Sequence, residues 1–186
     1  MNFQTTSTNT QNRYISPQFI ADLTPPKTHI LSIAEQKVVR APDKLSTLGL
    51  GSCVGLVLYD PSCKIGGMVH IMLPEAPKDV IDPNLAKYAD TAIPALLRRL
   101  VTAGAMPRRI LAKLAGGAHM FNTSRNLDIM NVGERNVKVC KKLLFERSIP
   151  IMAEDTGGSC GRSIEFDCET GLLKIRTVSP LSTKQI

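Results

Sequence analysis

Residues 45–59 read LSTLGLGSCVGLVLY, and the fold is best predicted from these residues outward. Its second half is rich in strand-forming residues and predicts a buried β-strand. Residues 60–67 contain Asp, Pro, Ser and two Gly, which predict a turn. The apolar run Met68–Leu73, stopped by Pro74, predicts a second strand. Together the two runs predict an antiparallel hairpin.

The hairpin brings a cysteine and a histidine to one face. If residues 53–59 and 67–73 pair about a turn centred between Pro61 and Ser62, Cys53 lies directly opposite His70, with Cβ atoms about 4.5–5.5 Å apart. An imidazole at that distance can take the thiol proton and form a thiolate–imidazolium pair. Pro-Ser is a poor two-residue hairpin turn, so a longer loop would move the partner of Cys53 by a residue or more. The sequence thus predicts a nucleophile and its base, with an uncertain register.

The residues before the cysteine suit a reactive loop. Glycine lets the chain turn sharply and lets a substrate approach closely, and the backbone N–H groups near Gly51 and Ser52 are candidates for an oxyanion hole. Thr47 lies upstream of this loop, where its hydroxyl can orient the imidazole or hold substrate, although threonine in a strand is commonly just a good β-former.

Other interpretations of these residues stay open. Cys53 can be a buried structural cysteine, and His70 can be a histidine satisfied in the core. His119, in the Gly116–Phe121 segment, is a rival base that can also simply pack. The loop containing Asp155 and Gly157-Gly158 is a weak candidate for holding an anion, because it lacks a full phosphate-binding fingerprint.

Composition narrows the classes of protein. With 186 residues and 43% hydrophobic content, the chain fits one globular domain. Its net charge is +7, but the basic residues are scattered, and five Phe, three Tyr and no Trp give little for stacking bases. We therefore expect no nucleic-acid partner. A positive field of this size fits an acidic protein surface equally well.

The cysteine count points to a reducing compartment. There are five cysteines, an odd number, and no basic-then-apolar leader precedes them, so we expect a cytoplasmic protein. The absence of a C-x-x-C pair leaves structural zinc unsupported, and we expect no metal and no organic cofactor. No run of eighteen apolar residues occurs, so we expect no membrane insertion. A redox sensor pairing Cys53 with Cys63 or Cys160 is a further alternative.

The remaining pattern mixes strands and helices. It predicts a flexible polar arm over residues 1–28 and a domain over residues 29–186. Within that domain it predicts a strand over Ile30–Val39; a helix from Asp82-Pro83 to Gly104, kinked or broken at Pro94; a strand over Arg109–Leu114; a helix from about Asn131, with Glu134 as capping partner, to about Arg147; a strand over Ile149–Ala153; and a hairpin of Ser163–Asp167 with Leu172–Val178. Without strict β-α alternation, this favours a layered α/β fold rather than a Rossmann unit.

Six segments in order carry a resemblance to a known family. They are TLGLGSCVG (47–55), GMVHIMLP (67–74), KYADTAIP (87–94), GGAHMF (116–121), GERN (133–136) and DTGGSCGR (155–162). Together they make the chain resemble the CheD family, the bacterial chemoreceptor glutamine deamidases, over roughly residues 30–178. The resemblance implies that Cys53, His70 and Thr47 are catalytic.

The resemblance also sets expectations for fold and partners. It implies a single-domain three-layer α/β sandwich similar to the catalytic domain of cytotoxic necrotizing factor toxins. It implies hydrolysis of glutamine side chains to glutamate, with release of ammonia, on methyl-accepting chemotaxis receptors. A CheC-type phosphatase is an implied partner. The alternative function is a regulatory binding partner of such a phosphatase with little catalysis.

Overall fold

A computed structural model describes residues 25–79, 83–120, 132–178 and 181–186. The strands are β1 (Thr28–Leu31), β2 (Gln36–Arg40), β3 (Lys44–Leu50), β4 (Val54–Asp60), β5 (Ile65–Ile71), β6 (Leu111–Gly116), β7 (Ile151–Thr156), β8 (Arg162–Asp167), β9 (Leu173–Val178) and β10 (Leu181–Gln185). The helices are α1 (Ala89–Thr102) and α2 (Val132–Glu146), with a 3₁₀ turn at Pro107–Arg109. Neither α1 nor α2 is long and apolar enough to cross a membrane.

The strands form two five-stranded sheets. One sheet has the order β1-β3-β8-β9-β10 and the other β2-β5-β4-β6-β7. Strand β4 is buried along its whole length because both of its faces are covered. Val57 and Tyr59 pack into the core between the sheets, whereas Leu56 and Leu58 pack into a second core that includes apolar side chains of α1 and α2. The predicted layered α/β fold is confirmed, and its layers are sheet, sheet and helices.

The predicted register of the central hairpin is wrong by two residues. His70 pairs with Gly55, and Ile71 pairs with Val54. The connecting turn spans four residues, 61–64, because the Ser62 N–H donates to the Asp60 side chain at 3.0 Å and Lys64 takes a φ of 50°. A shift of two residues keeps side chains on the same face of a strand. Cys53 precedes β4 and so has no partner in this ladder, but it packs against the core between the sheets, the side that the residue opposite Gly55, His70, also faces.

The single predicted first strand, Ile30–Val39, is also wrong, because a turn divides it. The Ser32 N–H donates to the Glu35 carboxylate at 2.7 Å, and Ala34 adopts a φ of 58°. On either side of this turn, β1 pairs parallel to β3 in one sheet and β2 pairs antiparallel to β5 in the other. The first two strands thus bridge the two sheets.

Helix α1 begins later than predicted. Its N-cap is Tyr88, and the residues before it bend back onto the end of β5, where the Ala89 N–H donates to the Leu73 carbonyl at 2.9 Å. Asp82, the predicted N-cap, lies outside the described residues. The helix continues through Pro94, so the break that the sequence offered there does not occur, and it ends before Gly104, as predicted.

The second half of the chain follows the prediction more closely. Helix α2 ends one residue from its predicted end, although Asn131, its predicted start, lies outside the described residues. The β8–β9 hairpin is confirmed, β6 and β7 lie about two residues later than predicted, and β10 was not predicted. Of the predicted polar arm, residues 1–24 lie outside the described part of the chain, and Thr28, its last residue, already belongs to β1.

Candidate active site

The three predicted catalytic residues come together where the chain crosses between the sheets. Thr47 lies in β3 of one sheet, and His70 lies in β5 of the other. The chain leaves the first sheet at Leu50 and enters the second at Val54, so Cys53 is the last residue of the crossing. Thr47 and His70 are fully buried, while Cys53 is only partly so. This crossing brings a thiol, an imidazole and a hydroxyl within one region.

Two hydrogen bonds determine the tautomer of His70. The Thr47 hydroxyl donates its single proton to the Leu31 carbonyl at 2.8 Å. The same oxygen lies 2.7 Å from Nδ1 of His70, where it must therefore act as acceptor for an Nδ1–H. The neutral ring consequently carries its lone pair on Nε2, and within the described residues this buried atom has no hydrogen-bond partner. Nε2 is thus available to accept a proton.

Burial sets the resting protonation of both groups. It raises the pKa of the Cys53 thiol and lowers the pKa of the His70 imidazole, because each charged form loses solvation. Both directions favour a neutral thiol beside a neutral imidazole, rather than the thiolate–imidazolium pair expected from the hairpin. Transfer of the thiol proton to the imidazole would therefore accompany the attack on a substrate and is not complete in the resting state.

The loop that carries Cys53 is held by the segment after β6. The Gly117 N–H donates to the Cys53 carbonyl and the Ala118 N–H to the Gly51 carbonyl, both at 2.8 Å. Gly116 has a φ of 107°, and a Cβ there would lie 2.3 Å from the Cys53 carbonyl oxygen. Only glycine at this position allows the two segments to approach so closely.

The oxyanion candidates differ in their availability. The Gly51 N–H already donates to the Gly49 carbonyl at 3.0 Å. Among the described residues, no acceptor binds the N–H groups of Ser52 or Cys53. In the predicted oxyanion loop, the N–H groups without an acceptor among the described residues are therefore those of Ser52 and Cys53.

Sequence reasoning missed one buried residue at this site, Asn136 of α2. Its Nδ2 donates to the Ser52 carbonyl at 2.9 Å and to the Met72 carbonyl at 3.0 Å. The signal was present in the sequence, because Asn136 shares the buried face of α2 with Gly133, Cys140 and Leu144. An asparagine on an apolar helical stripe is unusual and needs hydrogen-bond partners.

The rival candidates have other surroundings. His119 is exposed, and its backbone N–H donates to the Gly158 carbonyl. Asp155 pairs with Arg162 at 3.0 Å and with Lys184 at 2.9 Å, and the Gly157 N–H is used by the Gly116 carbonyl. In the described ranges, no group of three or more His, Cys, Asp or Glu side chains could hold a metal ion.

Comparison with known proteins identifies the family. A family model described as CheD chemotactic sensory transduction matches residues 72–177, more than half of the chain. The chain belongs to the CheD family, as its sequence motifs predict. The matched range begins just after His70, so the three predicted catalytic residues precede it.

Curated relatives cover more of the chain. A protein of Caldanaerobacter subterraneus subsp. tengcongensis, named probable chemoreceptor glutamine deamidase CheD, is 51% identical over 148 residues, which are 80% of this chain and 91% of that protein. The chemoreceptor glutamine deamidase CheD of Bacillus licheniformis is 52% identical over 149 residues, 80% of this chain and 89% of that protein. Among solved structures, the hypothetical protein YfiH of B. licheniformis gives a TM-score of 0.42 at 16% identity, over 65% of this chain and 49% of that one, too distant to support an argument.

Proposed function

We propose that this protein hydrolyses glutamine side chains of chemotaxis receptors to glutamate and releases ammonia. In this proposal Cys53 is the nucleophile, His70 is the base, and Thr47 orients the base. The names of relatives that are about 50% identical support the reaction. The observation that supports the residue roles is the Thr47 hydroxyl between the Leu31 carbonyl and Nδ1 of His70, while Nε2 has no hydrogen-bond partner among the described residues.

The reaction begins when the Cys53 sulfur adds to the carboxamide carbon of the substrate and Nε2 of His70 takes the thiol proton. The carbonyl oxygen becomes an oxyanion, for which the free N–H groups of Cys53 and Ser52 are donors. The imidazolium then gives its proton to the departing nitrogen, so ammonia leaves and a thioester remains. Water, losing a proton to Nε2, hydrolyses the thioester, which releases glutamate and restores the thiol.

Further parts of the proposal rest on the family resemblance. The layered fold corresponds to the catalytic domain of cytotoxic necrotizing factor toxins, the location is cytoplasmic, and a CheC-type phosphatase is a partner. The net charge of +7 favours association with an acidic receptor surface and makes this association sensitive to salt. A purely regulatory binding role is not favoured, since the curated relatives are named as deamidases.

Intact-mass spectrometry tests the proposed function. A receptor cytoplasmic fragment carrying unmodified glutamines is incubated with the wild type, with Cys53→Ala, and with Cys63→Ala as the control for loss of a cysteine elsewhere. We expect a gain of about one dalton per modified glutamine with the wild type and with Cys63→Ala, and none with Cys53→Ala. Full activity of Cys53→Ala would exclude the mechanism, and no mass change with any of the three would exclude the function.

A further inference from the structure

One side chain ties together the loop before Cys53 and the strand that carries His70. Asn136 is fully buried in the described structure, and its two Nδ2 hydrogens go to two main-chain carbonyls, those of Ser52 and Met72. These two acceptors fix the orientation of the amide, because its Oδ1, which has no partner among the described residues, could not bond to either carbonyl. Met72 follows β5 directly, two residues after His70.

The Ser52 carbonyl belongs to the same peptide unit as the Cys53 N–H. That peptide bond is not among the cis bonds of the described residues, so its carbonyl and its N–H point in opposite directions from one rigid plane. A donor that holds the Ser52 oxygen therefore determines where the Cys53 N–H points. Asn136 reaches this oxygen from α2, on the helix side of the second sheet.

The resulting direction of the Cys53 N–H suits a hydrogen-bond donor to the oxyanion formed in acyl transfer. His70 pairs with Gly55, and a Cβ on Gly55 would meet Ile164 and Leu50, so His70 faces the other sheet. The Cys53 N–H points away from α2, and so toward the side of the sheet on which Thr47 and His70 lie. No acceptor among the described residues uses that N–H.

We propose that Asn136 is a positioning residue, which holds the Ser52–Cys53 peptide so that the Cys53 N–H serves as an oxyanion donor. Asn136 touches no substrate atom and acts through the peptide that it holds. The inference rests on the proposed function only in that both assign the nucleophile to Cys53.

Two reactions at Cys53 separate this role from general support of the loop. Acetylation by p-nitrophenyl acetate passes through a tetrahedral oxyanion, whereas alkylation by iodoacetamide is a displacement that forms none. Both products at Cys53 are quantified by peptide mapping, and each rate is normalised to the amount of Cys53 that is able to react. Removal of one oxyanion-hole donor costs about 10²–10³ in kcat, and loss of its orientation alone should cost less.

The variants are Asn136→Ala, Asn136→Ser and the control Asn84→Ala. Asn84 is exposed and also donates its amide to a backbone carbonyl, that of Ala34, whose N–H in turn donates to the His70 carbonyl. For Asn136→Ala we expect acetylation to slow about 10–100-fold, alkylation to stay within about threefold, and the pH profile of alkylation to remain that of the wild type. If Asn136→Ala does not fold, Asn136→Ser, which keeps one donor, is measured in its place. The ratio of its acetylation rate to its alkylation rate should then fall, by less than is expected for Asn136→Ala.

The outcomes are distinct. Acetylation and alkylation that slow in proportion would mean that Asn136 only supports the loop, and acetylation at the wild-type rate would exclude the role altogether. The control should change neither rate. If the wild type fails to deamidate receptors while the ratio changes as expected, the proposed function fails and the role of Asn136 stands.

Discussion

The hydroxyl of Thr47 gives the sharpest test of the site, through the nearly isosteric change Thr47→Val. This change leaves the Leu31 carbonyl and the His70 Nδ1–H without their shared partner in a fully buried place. Each unpaired buried group costs about 1–3 kcal/mol, and the added methyl returns about 0.8 kcal/mol. We expect Thr47→Val to lower the free energy of unfolding by about 1–5 kcal/mol.

The same change removes the acceptor that keeps the proton on Nδ1. The ring proton can then move from Nδ1 to Nε2, and Nε2 loses the lone pair with which it would act as the proposed base. General acid–base catalysis contributes about 10²–10⁴-fold, so we expect kcat for receptor deamidation to fall at least about 10²-fold. Thr47→Ser is the matched control, because it keeps the hydroxyl and loses only a methyl, worth about 1 kcal/mol.

The assays are urea denaturation and deamidation followed by intact mass. A Thr47→Val protein that deamidates within about threefold of the wild-type rate would refute the assignment of the tautomer. So would a Thr47→Ser protein that is as inactive as Thr47→Val while remaining folded.

Three further predictions concern pH and packing. Burial lowers the pKa of His70 in the folded chain below its ordinary 6.5. Between the folded and the unfolded pKa, the unfolded chain binds a proton that the folded chain does not. The contribution of His70 to stability is therefore complete above pH 6.5 and declines as the pH falls. The free energy of unfolding, measured by urea titration at pH 7.5 and 5.5, should therefore fall more for the wild type than for His70→Asn; equal losses would contradict the burial argument. Burial raises the pKa of Cys53 above its ordinary 9.0, so without substrate its alkylation rate should keep rising with pH beyond 9, and a plateau below pH 7 would reveal a preformed ion pair. Gly116→Ala should destabilise by about 1–3 kcal/mol more than Gly157→Ala, since an added Cβ meets the Cys53 oxygen at the first position and nothing within 4 Å at the second, although both have positive φ; equal melting temperatures would count against this close approach.

Local pattern was a reliable guide where an element is defined by its own residues. The β8–β9 hairpin and the end of α2 follow from strand-forming runs and helical spacing that need no distant partner. The prediction that Cys53 and His70 share a face used the period of two along each strand, and such a prediction tolerates an even error in register.

What failed depended on contacts between distant segments. Residues 30–39 are divided because β1 pairs with β3 in one sheet and β2 with β5 in the other, and the turn between them, where the Ser32 N–H donates to the Glu35 carboxylate, depends on these distant pairings. The start of α1 is delayed because the chain first bonds to Leu73 at the end of β5. The hydrogen bond that the Thr47 hydroxyl accepts from His70 joins strands of different sheets, so the sequence could suggest the hydroxyl but not its geometry.

The Leu31 carbonyl receives the Thr47 proton, and it lies on β1, the first strand of the described domain. The hydrogen bonds from His70 through Thr47 thus end on a main-chain atom that no substitution of a side chain can remove. Shortening the protein from its amino end therefore meets a chemical limit at this strand. A protein that starts after Leu31 retains the thiol, the imidazole and the hydroxyl. Without the Leu31 carbonyl, however, the Thr47 hydroxyl can donate its proton to Nδ1 of His70 instead of accepting one from it. Such a truncation would show whether the three side chains are sufficient or whether the direction of the hydrogen bond between Thr47 and His70 is also required.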